Sequence, residues 1–482
     1  MPTQPTPTTP HAQSDPAAQA DGYQRALSNR HINMIALGGA IGVGLFLGSA
    51  KALHQAGPGL IAAYAAGGTA VFFIMRALGE LLVHRPVSGS FASYAGQFLG
   101  KFAEFATGWS YWLVWIVTGM AEITAAGVYT RYWFPDVPQW IPGLVALVLL
   151  TAANLVGVKA FGEFAFWFAI IKVAAIGALL GIAALVLTFH FGALGDTASL
   201  SNLWAHGGFF PNGAGSALMS LQIVVFAFVG VELLGLTAGE TKDPVKVMPR
   251  AVNGVIWRIL IFYIGALVAV ASLVPWNRLS PDISPFVQVF QLVGFPAAAG
   301  VINFVVLTAA LSSCNSGLYS TGRMLNTLSR DGQAPGALKQ LSAHSVPARG
   351  VLLSFFAMLL GVVLNYLVPE QAFVYITSVS TVSAIFVWAI ILVAHLAYRR
   401  RVKAGELPRV AFRMPFSPWS NWLVLTFLAF VIVLLGFDAD SRIALYAAPV
   451  WGAFLTGAYL IIRRRPVAGG ESADHESGPT TG

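Results

Sequence analysis

Residues 38–48 read GGAIGVGLFLG and lie inside the first long apolar run of the chain, near 32–52. Five of the eleven residues are glycine, which costs about 1 kcal/mol against alanine inside a helix. Small residues at four-residue spacing let membrane helices pack closely, and Gly38 with Gly42, and Gly44 with Gly48, have that spacing. Close packing does not call for three glycines within GAIGVG. At ~1.5 Å per residue this cluster falls near the middle of the run, and glycine accepts the dihedrals of a non-helical backbone. The stretch predicts a helix unwound at mid-span.

The rest of the chain gives that break its setting. Its 482 residues are 56% hydrophobic and 10% charged, too little charge to coat several soluble domains. Apolar runs of about 20 residues recur, each long enough to cross a hydrocarbon core of roughly 30 Å. Twelve spans are predicted, near 32–52, 59–83, 102–131, 141–157, 164–188, 216–239, 257–276, 296–328, 350–368, 372–398, 419–437 and 443–462. The fold class expected is an all-α polytopic membrane protein. The Pro/Thr/Ala-rich stretch 1–22 and the stretch 466–482 read as disordered tails, and the first lacks the basic-then-apolar pattern of a signal peptide.

Charge placement sets the expected orientation. Twenty-two of the 28 Lys and Arg fall on the N-terminal side of the membrane, six of them between Arg399 and Arg413. The segment 188–213, between spans five and six, has no Lys or Arg at all. This bias puts both termini in the cytoplasm of a cytoplasmic-membrane protein. The net charge of +8 is then topology and contact with anionic lipid, not a nucleic-acid patch. Tyr132, Trp133, Trp140, Trp204 and Trp276 sit where interfacial aromatic anchors belong. A single cysteine, Cys314, excludes an intramolecular disulfide, and no metal-ligand, phosphate-loop or nucleophile–base spacing appears, so no cofactor and no enzyme are expected.

An unwound segment at membrane depth needs its polar groups satisfied by protein or by a cavity. Free amides at the start of the second half-helix suit an anionic group. Transporters with discontinuous helices carry such a break twice, in inverted repeats. A second break is therefore expected five spans later, and span six offers Phe226, Ala227, Phe228, Val229, Gly230 and Val231 ahead of Glu232. Spans one to five and six to ten would be the two repeats, with discontinuous helices one and six and two extra helices at the end.

Ionisable groups inside spans are functional by default. Lys172, in FGEFAFWFAIIKVAAIG (161–177), either snorkels to the inner surface or lies between the first break and span eight. In the second case it would do a sodium ion's work by loading and releasing a proton. Glu122 in span three and Glu232 after the second break could hold a substrate ammonium, stay protonated as structural donors, or couple to proton movement. Ser312, Asn315, Ser316 and Tyr319 share one face of span eight and either line a cavity or bond to a neighbouring helix. Arg76 and Glu80 read as an i,i+4 ion pair.

The segments 30–48, GELLVHRPVSGSFASYA (79–95), EFAFWFAIIKV (163–173), FAFVGVELLGLTAGETKDP (226–244) and LTAALSSCNSGLYSTGRML (307–325) resemble the amino acid transporter family of the amino acid–polyamine–organocation superfamily. The resemblance spans nearly all of 23–465 and implies a five-plus-five inverted repeat and proton-coupled amino acid uptake. It implies that Ile41 to Gly44 receive the substrate carboxylate on backbone amides, that carbonyls of Phe226 to Val229 receive the α-amino group, and that Phe226 stands near the gate. Lys172 and Glu232 match the family's span-five lysine and span-six glutamate. Residues 117–140 and 376–400 look most like D-alanine/D-serine/glycine permeases, whereas 84–95 and 364–370 look more like asparagine permeases. The expected division is a transport core at 23–398, a basic cytoplasmic loop at 399–418 and helices eleven and twelve at 419–465. An exchanger and a non-transporting sensor remain the alternatives, and the oligomeric state stays open.

Overall fold

The computed structural model describes residues 41–87, 90–156, 158–190, 192–237, 244–294, 296–342 and 346–463. Both expected tails, and the first half of span one with Gly38 and Gly39, lie outside the described residues. No strand occurs among the described residues. The described part of span one follows Ile41 and Gly42 as a π-helical turn, Gly44–Gly48, and continues in Ser49–Ala56. Span two is Leu60–His84, three Lys101–Thr130, four Trp140–Val156 and five Val158–Phe189. Span six comes in three pieces, Gly213–Met219, Leu221–Ala227 and Leu233–Thr237. Span seven runs through Pro244–Arg258, a π-helical Ile259–Gly265, and Ala266–Leu273. Spans eight to twelve are Pro296–Arg330, Ala348–Leu367, Pro369–Lys403, Trp419–Leu435 and Ile443–Arg463.

Among the described residues eight helical stretches are long and apolar enough to cross a membrane, one of them joining spans one and two, and spans four, six and eleven are shorter apolar helices. Together they give the twelve-helix order read from the sequence. Span seven starts at Pro244, well before the expected 257, because Lys246 and Arg250 interrupt its apolar run. Two short helices, Ser90–Leu99 and Pro285–Leu292, had no long apolar run to announce them.

Burial orders the bundle. In span three 83% of the apolar window is buried inside the protein, but in span twelve only 6%. Span three is thus the axis of the molecule, and span twelve turns Val450, Phe454 and Ile461 outward, as a lipid-facing helix should. Polar side chains fasten the central helices where water is absent. Thr118 and Ser380 share a 2.8 Å hydrogen bond between spans three and ten. Asn365 Nδ2 donates to Thr124 Oγ1 at 2.7 Å, joining spans nine and three. Of the expected interfacial aromatics, Tyr132, Trp133 and Trp204 are exposed, while Trp276 donates to the His206 carbonyl at 3.0 Å.

Candidate functional site

The described part of span one begins at the expected break, and the stretch that would form the half-helix before it lies outside the described residues. Ile41 and Gly42 are outside any helix, and Leu45 N donates to the Gly42 carbonyl at 3.3 Å as the helix resumes. The amides of Gly42 and Gly44 have no hydrogen-bond partner among the described residues. That is the ordinary state of the first N–H groups of a helix, here with Gly42 half-buried and Gly44 buried. Gly44 packs directly on the second break: a Cβ built on it would lie 2.5 Å from Ala227 Cα. Only hydrogen fits there, so close approach of the two helical segments accounts for this glycine.

The second break follows Ala227. Phe228 N reaches back to Val225 O at 3.1 Å and Val229 N to Phe226 O at 3.0 Å, a tight non-α spacing. Gly230 then takes φ +105°, a region closed to residues with a Cβ. The carboxylate of Glu232 closes this turn: both its oxygens lie 3.1 Å from Gly230 N, and Trp388 Nε1 of span ten donates to Oε2 at 3.3 Å. Glu232 is thus a cap for the unwound backbone. Among the assigned carbonyls, Ala227 O already accepts from Tyr263 Oη at 3.1 Å, whereas Val229 O has no donor among the described residues. The Phe226 ring meets Phe373 of span ten edge-on, with centroids 6.3 Å apart. The Phe228 ring turns away, packing at 4.7 Å on Tyr263, so only its backbone belongs to the site.

Glu122 and Lys172 meet behind the first break. Both are buried, with 2% and 0% of their surface exposed, and each lies within the other's electrostatic reach. Lys172 therefore does not snorkel. Glu122 Oε1 lies 3.5 Å from Val43 N, and Ser313 donates to the same carboxylate. Its second oxygen, Oε2, is buried with no hydrogen-bond partner. A Cβ on Gly42 would come 2.7 Å from Glu122 Oε1 and 3.3 Å from Ser313 Oγ.

Span eight contributes a residue the sequence reading passed over. Ser313, not the face carrying Ser312 and Asn315, meets Gly42 and Glu122. Asn315 Oδ1 instead accepts from Asn154 Nδ2 of span four at 2.7 Å, and Ser316 Oγ donates to the Ser312 carbonyl at 3.1 Å. A turn of the helix later, Gly317 packs against Trp115 of span three on the same side as Ser313, and that i,i+4 pairing was the available signal.

The expected pair of Arg76 with Glu80 does not form. Arg76 donates to Asn253 Oδ1 at 2.8 Å and to the Arg413 carbonyl. Glu80 takes partners from span ten and the loop after it: His395 Nε2 at 3.0 Å, Arg399 Nε at 3.2 Å and Met414 N at 2.7 Å. Helical spacing brought the two within reach, but tertiary partners with better geometry outcompete a pair worth only about 0.5 kcal/mol.

A helix start at Val43 packed on the interruption of span six, with a buried acid and amine beside it, is the arrangement of secondary transporters built on discontinuous helices. The chain belongs to the amino acid permease family, whose model matches residues 31–469. It is 52% identical to the amino-acid permease AapA of Bacillus subtilis (strain 168), over 94% of this chain and 98% of that one. It is 46% identical to the D-serine/D-alanine/glycine transporter of Escherichia coli (strain K12), over 94% and 97%. To the L-asparagine permease of Streptomyces coelicolor (strain ATCC BAA-471 / A3(2) / M145) it is 45% identical, over 93% of each chain. The protein is a multi-pass membrane transporter of amino acids, not an enzyme.

Proposed function

We propose that this protein imports small neutral amino acids, glycine, D-alanine and D-serine, together with protons. The observation that carries the reading is the meeting of the two breaks. Amides at Gly42 and Gly44 with no partner among the described residues suit a carboxylate, and the Val229 carbonyl, likewise without a donor among them, suits an ammonium. The name of the Escherichia coli relative supports the same class, while that of the Streptomyces relative favours asparagine as the second reading.

Proton coupling is assigned to Lys172, with Glu122 as its partner. Each of the two buried groups feels the other's charge, which works against the large cost of desolvating them. Transfer of one proton between the two neutralises both, so changes in the Val43 amide on substrate binding would be felt by Glu122 and, through it, by Lys172. Glu232 keeps its capping role. The transport core is taken as 23–398, with the basic loop 399–418 and helices 419–465 at its edge, and the positive-inside bias favours cytoplasmic termini.

Uptake of labelled glycine into proteoliposomes tests this. An inward proton gradient drives accumulation in the parent protein, and Lys172→Ala loses accumulation while keeping counterflow. Uphill uptake by Lys172→Ala equal to the parent's removes the coupling role, whereas counterflow without proton-driven uptake in the parent makes the protein an exchanger. No flux of any amino acid would leave a sensor.

A further inference from the structure

Around Glu80, span ten and the loop that follows enclose a cavity of about 510 Å³. Arg399, Arg400, Lys403, Arg409 and Arg413 line it. Glu80, the one acid in its wall, is already committed to His395, Arg399 and the Met414 amide. Arg400, Lys403 and Arg409 have no acidic partner among the described residues, and Arg413 donates only to the Val410 carbonyl. Four cations thus face one space with no acid among the described residues left to neutralise them, an arrangement that attracts an anion.

The rim says which anion. Trp422 forms one edge of the cavity, and beside it Phe416 and Trp419 are each 80% exposed and Leu423 66%. Exposed aromatics next to clustered arginines mark the level of lipid headgroups. A free phosphate would use the arginines and leave the aromatic rim idle. We infer that this cavity is a binding site for the headgroup of an anionic phospholipid, its phosphate among Arg400, Lys403 and Arg409 and its acyl chains along Trp422 and Leu423. The leaflet that supplies the lipid rests on the cytoplasmic assignment of 399–418. The site itself does not.

Native mass spectrometry of the detergent-purified full chain tests the site regardless of sidedness. Phosphatidylglycerol and phosphatidylcholine of the same acyl composition are the probes. Phosphatidylglycerol is expected to bind more tightly, and R400Q/R409Q to weaken it by about tenfold or more at roughly 1 kcal/mol per basic residue. R131Q/R278Q, an equal charge loss elsewhere, is expected to leave it unchanged. Equal binding of the two lipids, or equal losses in the two double variants, would overturn the proposal. Displacement of the lipid by millimolar inorganic phosphate would overturn the choice of a lipid and leave a phosphate site. Sidedness is read separately, by labelling Glu406→Cys in intact cells and inverted vesicles.

Discussion

Gly44→Ala adds one methyl group at the point where the two broken helices touch. Its carbon would lie 2.5 Å from Ala227 Cα, 2.9 Å from Ala227 Cβ and 3.0 Å from Ala227 N. Carbon atoms rest at roughly 3.5–4.0 Å, so the two segments must part by about 1 Å. Two of those three contacts are backbone, which has no rotamer to escape into. Overpacking of this kind costs about 1–3 kcal/mol. Any equilibrium that needs the breaks closed on each other then shifts by about 5- to 150-fold. Ligand-induced thermal shift with glycine reads binding, proteoliposome uptake reads transport, and a monodisperse elution profile establishes that the variant folds. Gly181→Ala, on span five with open space around its Cβ position, is the control and is expected to behave as the parent. A folded Gly44→Ala protein that binds and transports within twofold of the parent would refute the idea that contact between the breaks builds the site.

Glu232→Gln keeps one acceptor for Gly230 N but sets an amide N–H₂ where a second carboxylate oxygen takes Trp388 and Gly230. Loss of charge-assisted bonds worth about 1.5–3 kcal/mol predicts a clear drop in melting temperature, and an unchanged one contradicts the capping role. Asn315→Ala loses one interhelical bond to Asn154, an effect of about 0.6 kcal/mol that should leave transport within twofold. A large loss of transport would put Asn315 on the substrate instead. Tyr94, in the short helix after span two, donates its phenol proton to the Arg85 carbonyl, and burial holds that phenol well above its ordinary value. The folded protein keeps a proton that the unfolded chain gives up, so this stability is complete below the unfolded pKa of about 10 and fades as pH rises beyond it. Tyr94→Phe should therefore flatten the fall of melting temperature above that pH, and an identical slope would count against it.

Twelve spans and the interruption of span six were legible because hydropathy and glycine report backbone demands directly. GAIGVG coincides with the helix start at Val43, and the single Gly230 marked the interruption of span six, where its φ of +105° favours glycine. Lys172 was legible because a cation in an apolar run has few explanations. Partnership was harder to read. Ser313 lies one residue from the face that looked polar, and helical periodicity alone does not say which neighbour each face meets. Glu80 was assigned to Arg76 because its true partners, His395 and Arg399, come from span ten, more than three hundred residues later. The early start of span seven was hidden by Lys246 and Arg250, which break the apolar pattern without breaking the helix.

The most direct measurement is an electron cryomicroscopy map of the protein with bound glycine or D-serine. The account predicts carboxylate density against the Gly42 and Gly44 amides and ammonium density at the Val229 carbonyl. Ligand density away from both breaks, or a bound state in which Gly44 and Ala227 no longer face each other, would contradict it.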